Sequence, residues 1–175
     1  MLQLSESLIN RPVMSLRTGG QIATTVAFII NPNNLKIEGF YCQDKFDKKA
    51  NSILLTQEIR DQISQGLVVN DHESLSDPEE LVRLKDILDI GFELIGKPVV
   101  TVNKEKLGKV QDFAADSETL YIQKLYVGQS LLKSLNTGQL SIDRNNIVEI
   151  TNKKIIIQEI LKPVKGQAPA AAPTG

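Results

Sequence analysis

The chain has 175 residues, 41% of them hydrophobic and 23% charged, with a net charge of −1, a single Cys and no Trp. That is the composition of an ordinary globular protein, and one Cys excludes an intramolecular disulfide and zinc sites built from several Cys residues. Basic and acidic side chains number 7 and 8 over residues 1–76 and 13 each over residues 77–175, so neither half carries the basic excess that phosphate recognition draws on.

In chain order, Ser5 to Asn10 reads as a turn or the start of a short helix, and Pro12 to Leu16 as a strand. Arg17-Thr18-Gly19-Gly20 is a hairpin turn, and Gln21 to Ile30 a second strand with Ile22, Val26, Phe28 and Ile30 expected inward. Asn31 to Asn34 is a turn, Leu35 to Cys42 a third strand and Gln43 to Ala50 a polar loop. Ser52 to Leu55 reads as a strand, Gln57 to Ile63 as a turn and Gly66 to Asn70 as a last strand. A helix signal follows. Asp77 can cap it, Pro78 takes the first helical position, Leu81, Leu84 and Leu88 form a stripe, and Gly91 ends it. Strands are then expected over 98–102, 107–115, 120–127, 140–143, 147–149 and 154–159. From Lys162 the Pro- and Ala-rich residues have nothing to bury and read as a disordered tail.

The second half repeats the first. Arg11-Pro12-Val13 aligns with Lys97-Pro98-Val99 at an offset of 86. Phe28 falls on Phe113, Leu35 on Leu120, Ile37 on Ile122 and Tyr41 on Tyr126 at 85, and Leu67-Val68-Val69 meets Ile155-Ile156-Ile157 at 88. The matched positions are mostly apolar and alternate, so the duplicated object is a folding unit with its own core. Five or six short strands per unit suggest a small closed barrel. The expected architecture is mainly β: two tandem barrels over residues 1–76 and 92–161, a connecting helix over 77–91, and the tail over 162–175.

Leu94-Ile95-Gly96-Lys97-Pro98-Val99, followed by Lys106-Leu107-Gly108-Lys109-Val110-Gln111-Asp112-Phe113, resembles the PRC-barrel family. In the first unit Asn10 stands for Gly96, and Ala23-Thr24-Thr25 for Gly108-Lys109-Val110. The resemblance implies a small β-barrel that acts as a protein-interaction module. It brings no catalytic residue set, and members include the C-terminal domain of a ribosome maturation factor.

The residues that could carry chemistry read more simply as structure. His72, the one histidine, sits in a polar stretch without partners at metal or triad spacing and is expected to be a solvated loop residue. Cys42 aligns with Val127 and is expected to be a small buried hydrophobe. Asp112 and Asp116 align with Ala27 and Asn31, which favours turn chemistry over an acid–base pair. Gly19-Gly20 lacks the Lys-Ser/Thr of a phosphate loop. The lysines at 45, 48 and 49 and at 104, 106 and 109 are interleaved with acids and read as solvated surface.

No catalytic, cofactor or metal residue is therefore assigned, and the expected function is a non-enzymatic adaptor with a protein partner. The features not shared by the repeat supply the candidate partner-binding residues: Lys45, Phe46 and Lys48 in one loop, and Leu131, Leu132 and Leu135 at helical spacing in an insertion. A ribosome-maturation or RNA-associated factor is the alternative, with nucleic acid not favoured by the charge balance, and homodimerisation is left open. The opening residues lack a basic start followed by an apolar run, so neither a secretory leader nor a membrane span is expected. A cytoplasmic location is expected.

Overall fold

The alternating apolar stretches form two seven-stranded sheets in the computed structural model, which describes residues 1–128 and 138–159. The chain opens with β1 (Leu2–Leu4). The first sheet contains β2 (Pro12–Ser15), β3 (Gln21–Asn31), β4 (Lys36–Asp44), β5 (Asn51–Leu55), β6 (Asp61–Ile63), β7 (Gly66–Val69) and β8 (Leu75–Ser76), in the order β6-β7-β2-β3-β4-β5-β8. The second contains β9 (Pro98–Thr101), β10 (Lys106–Asp116), β11 (Ile122–Gly128), β12 (Leu140–Asp143), β13 (Ile147–Ile150) and β14 (Ile155–Ile157), in the order β12-β11-β10-β9-β14-β13, with β1 added to β10.

The two strand orders are the same order. Matching β2 through β7 with β9 through β14 turns one path into the other. The register agrees as well. The parallel pair β2/β7 sets Val13 opposite Leu67, and β9/β14 sets Val99 opposite Ile155. Even the three-residue 3-10 turns correspond, Thr56–Glu58 between β5 and β6 and Arg144–Asn146 between β12 and β13. The left-handed residue before the first shared strand is also common to both. It is Asn10 (φ 57°) in one half and Gly96 (φ 83°) in the other, donating to the carbonyls of Thr25 and Val110.

Three expectations need correction. Neither sheet closes into a barrel: among the described residues no ladder joins β5 to β6 or β12 to β13. The 3-10 turns carry the chain from one end of each sheet to the other without pairing, and in the first sheet β8 occupies the outer edge of β5. The helix expected over 78–90 is broken. Asp77 does cap a turn, accepting from the Glu79 amide at 2.9 Å, but 3-10 turns at Pro78–Glu80 and Val82–Leu84 precede a six-residue helix, α1 (Lys85–Ile90). Leu81 (ψ 62°) leaves helical geometry between them, and Gly91 ends α1 in the left-handed conformation. Third, Val26 points outward. A bulge between Thr25 and Ala27 shifts the register, so Thr25 and Ile29 are buried and Val26 is 47% exposed.

One hydrophobic core runs through both sheets, from Leu8 and Val13 through Phe40 and Phe113 to Ile157. The halves meet at equivalent residues. Ile37 donates to the Leu120 carbonyl (3.0 Å) and Ile122 to the Leu35 carbonyl (2.8 Å), with Lys36 bridged to Tyr121 between them. These are the same three repeat positions on each side, the self-complementary contact that a twofold axis generates. Leu35 (φ 51°) and Leu120 (φ 57°) both hold a left-handed conformation unfavourable for leucine, and burial of both side chains offsets the cost. The rings of Phe28 and Phe113, another equivalent pair, pack edge-on with centroids 5.0 Å apart. Arg144 braces the seam, donating to the carbonyls of Asn34 and Ile122 and lying over the Tyr121 ring.

Candidate functional site

A groove lined mostly by apolar side chains runs along β3. Its volume is about 380 Å³. Val26 to Ile30 form one wall, α1 through Ile87 the other, and Phe92, Leu94 and Ile95 line it further along, with Phe113 at the seam end. The local reason is the bulge. It turns Val26 and Ala27 out of the core, while Phe28 stays half-buried against Phe40 and Phe113. Polar character comes from half-buried Tyr41 and exposed Glu93. Such a surface can hold an apolar segment, and it offers few groups for acid–base chemistry.

The loop after β4 is a second, smaller feature. Asp44 is only 3% exposed and anchors the loop, accepting from the amides of Phe46 (2.8 Å) and Asp47 (3.2 Å). His72 Nε2 lies 2.6 Å from the same carboxylate. Burial on its own would raise the Asp44 pKa, but the Phe46 amide, His72 and the Asp47 amide outweigh it and hold the carboxyl below its ordinary value. His72 is therefore a hydrogen-bond partner of the Asp44 carboxylate and not a free loop residue, although it stays half-exposed. Phe46 is 70% exposed, with its ring edge-on to the imidazole at 5.4 Å. Lys45 and Lys48 are exposed beside it. The structure thus brings Lys45, Phe46 and Lys48 together on one loop, away from the groove residues. Leu131, Leu132 and Leu135 lie outside the described residues, as does the tail.

The remaining candidates resolve as structural. Cys42 is buried, and desolvation pushes its thiol up to about 12. Asp116 caps its turn, accepting from the amides of Glu118 and Thr119, as Asn31 accepts from Asn33. The Thr119 amide and hydroxyl, with the N-terminal ammonium, hold the Asp116 carboxyl down to about 2. Asp112 accepts from the Ser5 amide and hydroxyl, fastening the residues after β1 to β10. Gly19 (φ 69°) and Gly20 make the hairpin turn. Among the described residues no group of three or more His, Cys, Asp or Glu side chains is placed to hold a metal. No helix among them is long and apolar enough to cross a membrane.

Sequence reasoning missed the groove because its making depends on the bulge. Strict alternation put Val26 inside. The one available signal was the repeat itself, since Val26 aligns with the polar Gln111.

A PRC-barrel domain is found at residues 91–161, the stretch that carries β9 to β14. The match does not extend to a second copy over the first half, whose likeness to the matched domain is one of strand order and register. No curated protein matches the chain.

Proposed function

We propose that the chain is a non-enzymatic adaptor that docks a protein partner on the groove beside the seam. The observation that carries this reading is the apolar wall of β3, where Val26 is left exposed next to half-buried Phe28 and the buried Phe113 ring it packs on. A contiguous apolar surface of this kind on a folded protein is more often a contact site than ordinary surface. The PRC-barrel match supports it, because that domain is a small β module often used in protein interactions. The duplicated unit would present two related faces, and the Phe46 loop belongs to the first unit alone.

The test is proximity crosslinking of the full chain in its native cell, followed by reconstitution of the captured pair from purified components. The adaptor reading expects a stoichiometric complex with a protein. It is overturned if no partner survives reconstitution, or if the chain instead retains RNA with the steep salt dependence of phosphate contacts.

A further inference from the structure

The outer edge of β10 is occupied. β1 pairs with it, setting Leu2 opposite Asp116, Gln3 opposite Ala115 and Leu4 opposite Ala114, and the Ser117 amide donates to the Met1 carbonyl at 2.7 Å. At the repeat offset of 85 the equivalent residues on β3 are Ile29, Ile30 and Asn31. There, among the described residues, no strand pairs with the β2 side of β3 beyond Thr25. The cause lies in the arms. The segment equivalent to β1 is the end of α1, and a helix cannot supply ladder bonds to a sheet edge. The groove is the space that this difference leaves. Its wall is Val26 to Ile30, and it is continuous with the seam through Phe28 and Phe113.

We propose that this edge of β3 is a strand-addition site: it takes an extended apolar–polar–apolar segment of a partner protein as an extra antiparallel strand, as β10 takes Leu2–Leu4. Main-chain bonds to the edge supply affinity, and alternate side chains supply selectivity. The occupied sister edge sets the pattern, an uncharged Leu-Gln-Leu. The groove agrees with it: Ile87, Phe92 and Ile95 line it, and its charged lining residue, Glu93, is exposed. Pro32 fixes where the added strand stops. It stands where Ser117 donates to Met1 and has no amide to give, so pairing ends at Ile30 and Asn31.

This inference rests on the adaptor reading and narrows it to one edge. The probe is a synthetic peptide with the sequence of residues 1–8, titrated into isotope-labelled full chain. Expected are saturable binding, resonance shifts along Val26 to Ile30, and slowing of Ile30 amide exchange by about tenfold or more. Val26→Lys, at an exposed position, should abolish binding while the thermal melt is unchanged. The proposal is overturned if the peptide fails to bind at millimolar concentration, if protection falls elsewhere, or if Val26→Lys binds equally well. It is also overturned if the Ile30 amide is already protected in the free chain, or if light scattering shows two copies joined through this edge. A reconstituted partner that ignores Val26→Lys would remove this site and leave the adaptor reading standing. Failure to find any partner would remove the adaptor reading instead.

Discussion

β3 and β10 are the same strand twice, yet β10 carries a third neighbour and β3 faces a helix. Both run for 11 residues, both contribute a phenylalanine to the seam, and both pair with equivalent partners in equivalent order. What separates them is the arm that crosses from the other half. Residues 2–4 cross as a strand and satisfy an edge. Residues 85–90 cross as a helix and leave a groove. The two halves therefore share the core and the seam, while their arms do different things.

The largest effect that bears on this comparison belongs to the seam. Phe113→Ala removes a fully buried ring and is expected to cost about 4 kcal/mol in urea unfolding. Phe28→Ala, half-buried, should cost about 2 kcal/mol. The double variant should fall short of their sum, because the rings touch. Simple additivity would break the claim that the halves are coupled there.

Next is Gly108, one of two glycines, with Gly96, that the first half replaces. Gly108 has φ 142°, and an added Cβ would come within 1.8 Å of the Gly128 carbonyl oxygen on the neighbouring strand. Gly108→Ala should therefore cost about 3 kcal/mol. The repeat-equivalent residue is Ala23, buried and already carrying a Cβ, and Ala23→Gly should cost only about 1 kcal/mol. Equal costs would mean that the backbone approaches its neighbour alike at the two positions.

The Asp44–His72 pair comes third. Asp44→Ala leaves the Phe46 and Asp47 amides without their acceptor and is expected to lose about 2 kcal/mol at neutral pH. The folded-state pKa of Asp44 is depressed below 3.8, so its contribution is complete above that value and disappears as pH falls through the lower folded pKa. An acid titration of stability should show a shallower loss below about pH 4 in the variant than in the parent chain. The smallest effect is that of Val26→Lys, within about 0.5 kcal/mol, since the side chain is already half in solvent. A large loss there would mean that the groove is core.

Much of this molecule could be read in the chain. The offsets that aligned Val13 with Val99 and Leu67 with Ile155 hold in the structure, where Val13 lies opposite Leu67 and Val99 opposite Ile155 in equivalent parallel ladders, although which strands pair was not legible in the chain. The turn chemistry of Asn31 and Asp116 was legible. Three further things were not. β1 carries only three residues, too few to show periodicity, and its partner lies over a hundred residues away. The Thr25–Ala27 bulge reverses alternation without any Gly or Pro to mark it. His72 meets Asp44 across 28 positions, a contact fixed by the packing of the loop and not by spacing.

The most direct test of a duplicated unit closed by its own equivalent residues is residue-resolved amide exchange on the full chain. The amides of Ile37 and Ile122, which bond across the seam to Leu120 and Leu35, should exchange together at the slow rate set by global unfolding. If either exchanges at the rate of a surface loop while the sheets remain protected, the halves do not meet at equivalent positions and the pseudo-twofold account is wrong.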